Sequence, residues 1–244
     1  MKDHHVCRNP WFNRRRLREE AAMDTIFMAI PGWDGSTCGQ VFVGLISRML
    51  NLYPMPFKAS VHIIKAYQDF MRYEGVPEGL HRDLAPEQKV EKIIQLNREM
   101  MVKDTWAEAG HPNENPAEAL GVQPLKRGVQ VLMNRTGQHA ESWPWAYKYI
   151  SQVNNICSTP VLGWKTPISV CHGYTPDISA WLQYEHWEKV YFKVDEQSPH
   201  SKEAPGYWLC VSEHVGDLMT FDIWCDATKH VIQRSFWLNG KSYW

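Results

Sequence analysis

Features that mark several common protein classes are absent from this 244-residue chain. No apolar run approaches the roughly 20 residues that a transmembrane helix needs, and no apolar signal-peptide segment stands near the first residue. The six cysteines form no C-x-x-C pair and no regular spacing, which argues against a zinc ribbon or a disulfide framework. A glycine-rich phosphate loop and a local Ser-His-Asp or Cys-His motif are missing as well. We therefore expect an intracellular chain in a reducing compartment, without a membrane partner.

The composition is that of an ordinary globular protein, with 44% hydrophobic and 22% charged residues. Lys and Arg number 26 against 27 Asp and Glu, so binding to nucleic acid would have to come from local patches. Residues 1–20 are one such patch, with the cations Lys2, Arg8, Arg14, Arg15, Arg16 and Arg18. This basic arm either contacts phosphates or directs nuclear entry, or it is a solvated leader.

The order of apolar segments predicts an α/β protein. Strands are expected over 22–31, 37–46, 51–55 and 79–83, and helices over 58–73, 87–101, 116–135 and 142–154, with a loop over 103–115. Four short β-like segments follow, over 189–194, 207–212, 218–224 and 230–237, and they predict a small antiparallel barrel. We divide the chain into a basic arm (1–20), a core (21–156), a linker (157–180) and a β module (181–244).

Three carboxylates are candidates for chemistry, although each has an ordinary structural alternative. Asp24 lies inside an apolar strand, where a charge is costly unless it is paired, metal-bound or turned outward. Asp83 closes a strand at the edge where α/β proteins build sites, but it can equally cap the next helix. Glu118 lies in the first turn of a helix, a position that the helix dipole alone favours. Together the three can converge at one sheet edge and hold two Mg²⁺ ions for phosphoryl transfer.

Local strings around these carboxylates resemble the integrases of copia-type LTR retrotransposons, especially those of diatoms and other algae. The resemblance rests on Met-Asp-Thr-Ile-Phe (23–27), Gly-Val-Pro-Glu-Gly-Leu-His-Arg-Asp (75–83), Asn-Pro-Ala-Glu (115–118), Lys-Arg-Gly (126–128), Thr-Pro (166–167) and Gly-Tyr-Thr-Pro-Asp-Ile-Ser (173–179). Asp83 and Glu118 have 34 residues between them, close to the spacing typical of this D,D,E family. The resemblance covers roughly residues 14–240.

The resemblance implies an RNase H-like core with a five-stranded mixed sheet flanked by helices, followed by a small SH3-like β-barrel. It implies a nucleotidyltransferase that trims the 3′ ends of the element's DNA and joins them to target DNA, with two Mg²⁺ or Mn²⁺ ions on Asp24, Asp83 and Glu118. Asn115, Lys126 and Arg127 become the expected DNA-binding residues, with positioning of the metal site as the alternative for Asn115. Lys126 and Arg127 lie about two and a half helical turns beyond Glu118, where they either reach phosphates or form a solvated face. The chain would be part of a polyprotein, act in the nucleus on DNA and form a homo-oligomer.

Departures from the family pattern keep a second hypothesis open. The stretch before Asn115 reads His-Pro-Asn-Glu rather than an aromatic, glutamine-bearing segment, and Glu114 adds negative charge near the expected DNA. The N-terminal zinc module of the family is missing, and we expect His4, His5 and Cys7 to be solvated rather than to bind zinc. The alternative is therefore a decayed or repurposed DNA-binding fragment without catalysis. An RNase H-type nuclease on the same fold is a third reading.

The remaining histidine and cysteine candidates have structural explanations. His81, two residues before Asp83, is expected to be a partly buried structural histidine, with a supporting role at the site as the alternative. Five cysteines are expected to be small buried hydrophobes: Cys38, Cys157, Cys171, Cys210 and Cys225.

Overall fold

The computed structural model describes residues 14–83, 91–107, 115–193 and 203–235. The N-terminal part forms a five-stranded mixed sheet with the strand order β3-β2-β1-β4-β5. Its strands are β1 (Glu20–Phe27), β2 (Cys38–Gly44), β3 (Leu50–Met55), β4 (Gly79–Arg82) and β5 (Lys103–Trp106). The first three strands form an antiparallel meander, whereas β4 and β5 run parallel to β1. The expected sheet is confirmed.

Helices cover both faces of this sheet, and the alternation along β1 decides which side chain meets which helix. One face carries Ala21 and Met23 and packs against α1 (Ser60–Tyr73) and α2 (Glu91–Glu99). The opposite face carries Ala22 and Ile26 and packs against α3 (Gln123–Thr136) and α4 (Trp143–Ile156). Because both faces of β1 are covered, a nearly continuous apolar strand is what the fold requires. Asp24 interrupts that strand.

A second, four-stranded antiparallel sheet follows, in the order β6-β7-β8-β9. Its strands are β6 (Lys189–Lys193), β7 (Glu203–Val211), β8 (Thr220–Cys225) and β9 (His230–Ser235). A bulge between Trp208 and Cys210 shifts the register of β7 against β8 and bends the sheet. Trp208 and Phe221 are fully buried at its centre. This sheet fits the small barrel-like module that was expected after the core.

The two sheets meet across α4. Gln152 donates to the carbonyl oxygen of Val211 at 2.9 Å, and Lys148 reaches Asp222 on β8 at 3.0 Å. Beside these contacts the ring of Trp33, from the β1–β2 loop, stacks on Trp224 with centroids 3.6 Å apart. Part of the unusually high tryptophan content therefore lies between the sheets, where broad flat rings bury much surface.

Some local predictions were wrong. Residues 103–106 form β5 rather than a loop, because pairing with β4 and the buried ion pair between Arg82 and Asp104 stabilise a strand that Lys and Asp do not favour by themselves. Residues 167–172 form a short helix, α5 (Pro167–His172), inside the expected linker; Thr166 and Ser169 cap its start reciprocally. Cys157 is exposed and Cys171 half-buried, whereas the other three described cysteines of that set are buried as expected.

The segment before β1 already contacts the core. Arg16 bridges to Val76, and Glu19 is buried, with both carboxylate oxygens accepting hydrogen bonds from the β2–β3 turn. Of the basic arm, residues 1–13 lie outside the described residues, as do His4, His5 and Cys7. In the described part of the chain, no helix has the length and apolar character needed to cross a membrane.

Candidate active site

The strand register sets Asp24 and Asp83 side by side. Ala22 pairs with His81 in the parallel ladder between β1 and β4, and two further residues along each strand are Asp24 and Asp83. Asp24 is two residues away from both Ala22 and Ile26. Its side chain therefore lies on the same sheet face as theirs, which packs against α3 and α4. Asp83 follows β4 directly at the carboxyl end of that strand. The predicted position of both aspartates at one sheet edge is what the backbone shows.

Glu118 reaches the same edge from the helix that crosses this face. It begins a π-helical segment, Glu118–Val122, which leads into α3 without a break. Gly121 makes the close crossing possible, since an added Cβ would lie only 3.2 Å from Leu50 and from Val41. Such single-turn π segments inside helices occur frequently at functional sites.

Asn115 fixes where this helix starts. Its Oδ1 accepts a hydrogen bond from the backbone N–H of Ala117 at 3.1 Å, and its Nδ2 donates to the carbonyl oxygen of Met23 at 3.2 Å. Asn115 therefore links the helix that carries Glu118 to the strand residue next to Asp24. Its side chain is only 4% exposed, which leaves little surface for the direct DNA contact that the resemblance suggested. In this structure Asn115 ties the start of the helix to β1.

The charges of Glu118 and Asp83 act on Asp24. Burial is the largest cause that raises the pKa of Asp24, to about 6, while the N–H of Thr25 opposes it at 2.7 Å. The neighbouring carboxylate of Glu118 and, to a smaller extent, the charge of Asp83 raise the pKa further. Both Glu118 and Asp83 thus lie close enough to Asp24 for their charges to act on it.

This donor set fits a hard divalent cation. Carboxylate oxygens are the ligands that Mg²⁺ prefers, and repulsion among clustered carboxylates is relieved by a cation or by a proton. Within the described residues, no three His, Cys, Asp or Glu side chains already surround one common ion position. Occupation would therefore require the carboxylates to turn toward one position and Asp24 to be ionised.

A glutamine that the sequence did not single out also contacts the site. Gln123 donates from Nε2 to Glu118 Oε1, and its backbone N–H bonds to the carbonyl oxygen of Glu118. Both contacts span five residues, which is the spacing that a π-helix brings together. The only available signal was a glutamine five positions after the glutamate, and the helix expected there was α-helical, in which these two residues do not face each other.

Lys126 and Arg127 are exposed on α3 beyond this segment. The sequence predicted Lys126 roughly 80° around the helix from Glu118, on the assumption of 100° per residue. The π segment turns less per residue, so that angle does not apply. Arg127 borders an open groove between α3 and α4 together with Arg135, Val131 and Ile150. Both cations are available to a phosphate backbone along one side of the helix.

Comparison with known proteins identifies the fold. No family model and no curated protein matches the chain. Among solved structures, the catalytic core domain of BIV integrase aligns over 63% of this chain and 93% of its own, with a TM-score of 0.51 and 16% identity. The catalytic core domain of HTLV-2 integrase in complex with magnesium aligns over 63% of this chain and 96% of its own, with a TM-score of 0.51 and 12% identity. A simian T-cell lymphotropic virus intasome in complex with PP2A regulatory subunit B56 gamma aligns over 89% of this chain and 76% of its own chain, with a TM-score of 0.53 and 11% identity.

The fold is that of an integrase catalytic core. The likeness confirms the expected RNase H-like arrangement of sheet and helices. At these identities it establishes the fold alone, and the roles of individual residues depend on the geometry described above.

Proposed function

We propose that this chain is a retrotransposon integrase, a metal-dependent polynucleotidyl transferase that joins the 3′ ends of element DNA to target DNA by transesterification. Asp24, Asp83 and Glu118 are the proposed catalytic and metal-holding residues. One observation carries the proposal. Three carboxylates from β1, the end of β4 and the π segment converge on an integrase-like fold, and their mutual repulsion contributes to the raised pKa of Asp24.

Each neighbouring residue has a part in this chemistry. Two divalent ions, Mg²⁺ or Mn²⁺, would stabilise the attacking and leaving oxygens of an in-line phosphoryl transfer when bound. Asp24 and Asp83, on adjacent strands, would present oxygen ligands from a rigid sheet edge. The side chain of Asn115 holds the backbone N–H of Ala117, next to Glu118, and Gln123 holds the carboxylate of Glu118. Lys126 and Arg127 would neutralise DNA phosphates beside the site.

The assignment to a type of element depends on the short sequence strings around the carboxylates. These strings support a copia-type retrotransposon polyprotein of algal or diatom type. DNA as element end and as target, action in the nucleus and self-association are proposed with it. The intasome that aligns with this chain extends the likeness beyond the catalytic core, since that alignment covers 89% of the residues here.

A non-catalytic, DNA-binding fragment is the second candidate. It is favoured by the side-chain arrangement, because within the described residues no three His, Cys, Asp or Glu side chains surround one ion position. Glu114, which motivated the same reading of the sequence, lies outside the described residues. In this case the fold would retain DNA affinity through its basic side chains, and binding would weaken steeply with salt.

The deciding experiment titrates Mg²⁺ and Mn²⁺ into the purified chain by calorimetry and runs a branched-DNA disintegration assay on the same preparation. The test variant is Asp24→Asn/Asp83→Asn. The control is Glu91→Gln/Glu185→Gln, which removes two carboxylates whose side chains are 77% and 82% exposed. We expect metal binding and cleavage to vanish in the test variant and to persist in the control.

The other outcomes separate the candidates. Metal binding without cleavage, lost in the test variant, would support the metal-binding site but not the catalytic assignment. Salt-sensitive DNA binding with neither metal binding nor cleavage, from a folded protein, would favour the non-catalytic fragment. Preferential cleavage of an RNA–DNA hybrid would point to a nuclease instead of an integrase.

A further inference from the structure

The open groove between α3 and α4 has a mainly apolar lining. Its residues on the π segment and α3 recur at helical spacing from Ala119 to Arg135, so they form a single stripe along one side of the helix. The groove has a volume of about 720 Å³, which is in the range of clefts that bind ligands. Its apolar lining residues are Ala119, Pro124, Gly128, Val131, Leu132 and, from α4, Ile150.

This apolar stripe is exposed. Val131 is 63% exposed, Pro124 is exposed as well, and Ile150 is half-buried. A single exposed apolar side chain is common, but contiguous apolar surface with a polar rim marks interaction sites. Gly128 lies in the interior of α3, where glycine lowers helix stability. An added Cβ would lie 2.9 Å from Ile150, so the glycine keeps α3 close to α4 and the groove free of a further side chain.

The charges along the groove have one sign. Arg127 and Arg135 are the charged residues among those that line it. Neither α3 nor α4 contains an Asp or Glu. Arg135 reaches Glu185 at 3.5 Å, but both side chains are exposed, and such a surface pair contributes little. The groove therefore presents positive charge beside an apolar floor.

Charge and apolar surface together select one kind of occupant. A second copy docked through the same groove about a two-fold axis would bring arginine against arginine, and like charges repel. A DNA backbone would pair with Arg127 and Arg135 but would gain nothing from the apolar floor. An acidic amphipathic helix satisfies both features, because its apolar side can cover Val131 and Ile150 while its carboxylates pair with the arginines.

We propose that the α3–α4 groove is the docking site for an acidic amphipathic helix of a partner protein. Arg127 and Arg135 are eight residues apart, which is about 12 Å along an α-helix. A helix that lies along the groove presents two carboxylates at this separation when they too are about eight residues apart. Apolar residues between them pack over Gly128 and Val131. This docking goes beyond the proposed function and depends on neither metal binding nor catalysis.

Fluorescence anisotropy with a labelled peptide and the full chain tests the proposal. The probe is a synthetic amphipathic helix of about 16 residues, the length of the stripe at 1.5 Å per residue, with leucines on one side and glutamates beside them. The comparison peptide has lysine in place of every glutamate. We expect saturable binding of the acidic peptide that weakens with added salt, and no binding of the lysine peptide. Equal binding of both peptides, or no binding of the acidic one, would overturn the proposal.

Substitutions in the groove locate the binding. Val131→Ser should lower the affinity for the acidic peptide about tenfold, because one valine side chain is no longer buried. Arg127→Gln/Arg135→Gln should lower it about fivefold and remove most of its salt dependence. The matched controls are Val61→Ser and Lys65→Gln on α1, where Val61 is 52% exposed and Lys65 is exposed. Both controls should bind like the parent, and an unchanged affinity of Val131→Ser would show that the peptide binds elsewhere.

The same variant distinguishes the other occupants. Val131→Ser should leave DNA affinity and sedimentation unchanged. A loss of DNA affinity would assign the groove to DNA, and a change in sedimentation would assign it to a second copy; either result would overturn the proposal. Circular dichroism confirms that the variants fold, as expected for substitutions of exposed side chains. Failure of the metal-binding and cleavage assays would refute the proposed function without affecting peptide binding.

Discussion

Beyond the effect of burial, the carboxylate of Glu118 raises the pKa of Asp24, although Asp24 belongs to the central strand and Glu118 to a helix that comes much later in the chain. This proximity depends on the π segment, which carries Glu118, and on Asn115, which joins the start of that helix to β1. Two carboxylates that are held this close favour a proton or a cation between them. Without a metal ion, repulsion between the carboxylates therefore destabilises the folded protein, and the substitution Asp24→Asn should remove this destabilisation.

Asp24→Asn is expected to stabilise the protein at high pH and to abolish strand transfer. The pKa of Asp24 is raised to about 6 in the folded state, above its usual value near 4, so the folded state is favoured by protonation and loses stability as pH rises through 6. Asparagine removes this loss. We expect a gain of about 1–2 kcal/mol at pH 8 after allowing for solvent screening, or several degrees in Tm, and no gain at pH 4.

Thermal melts of both proteins at pH 4 and pH 8 without divalent metal provide the measurement. Glu91→Gln serves as a control, because its carboxylate is 77% exposed and it should show no such pH dependence. An equal change in Tm for Asp24→Asn at both pH values would mean that the folded state does not raise the pKa of Asp24.

Asn115→Asp is expected to weaken the attachment of the Glu118 helix to β1. Aspartate keeps the oxygen that accepts from Ala117 but loses the N–H that donates to Met23, and it adds a charge to a buried position. We expect a loss of about 1–3 kcal/mol in unfolding free energy, and a lower metal affinity as the position of Glu118 relaxes. Asn115→Ser, which can still cap the helix, should lose less. Urea denaturation and metal titration measure both effects; equal stability of Asn115→Asp and the parent would contradict the positioning role.

The convergence of the carboxylates was predictable because it follows from strand order. Asp24 within an apolar strand and Asp83 at the end of another are local features, and parallel neighbours bring their carboxyl ends to the same edge. The helix bearing Glu118 was predictable from its periodicity. Each of these signals depends on the types and spacing of residues that are close in sequence. The resemblance to the family strings indicated that Asp24, Asp83 and Glu118 belong to one site.

The features that were missed depend on tertiary contacts. Glu118 to Val122 contains nothing that marks a π-helix, and its geometry follows from how closely Gly121 can approach Leu50. β5 is a strand because Asp104 pairs with the fully buried Arg82. The docking of the second sheet on α4 joins residues far apart in sequence, whose local patterns carry no information about each other.

Lys126→Gln and Arg127→Gln are each expected to reduce the salt dependence of DNA binding. Both side chains are exposed on the helix that leaves the site. A cation that neutralises one phosphate contributes about one unit to the slope of log K against log salt, and its removal lowers affinity for all sequences alike. Fluorescence anisotropy with labelled DNA over a range of NaCl concentrations measures the slope.

Lys65→Gln is the matched control for these two variants, since Lys65 is an exposed cation on α1, on the other side of the sheet. It should leave the slope unchanged. A similar decrease for Lys65→Gln would indicate a diffuse electrostatic effect, and unchanged slopes for Lys126→Gln and Arg127→Gln would exclude both residues from the DNA contact.

Lys148→Met is expected to destabilise the junction between the sheets more than its partial exposure suggests. Burial opposes the charge of Lys148, but Cys210, Glu213 and Asp222 outweigh this and raise its pKa. The side chain of Asp222 is only 4% exposed, and without Lys148 its charge would remain buried without a countercharge. Removing one member of a buried ion pair typically costs about 3–5 kcal/mol, and the 25% exposure of Lys148 places the expected loss at about 2–3 kcal/mol.

The double variant Lys148→Met/Asp222→Leu separates the pair from the packing around it. Replacing both charges by apolar groups removes the stranded carboxylate, so the double variant should recover most of the lost stability. Urea unfolding followed by tryptophan fluorescence, together with the far-ultraviolet exciton signal of the stacked Trp33 and Trp224, reports whether the sheets separate before the core unfolds. If the double variant is less stable than Lys148→Met alone, the carboxylate of Asp222 has a favourable role beyond the ion pair, and its hydrogen bond with the thiol of Cys210 is the contact to test next.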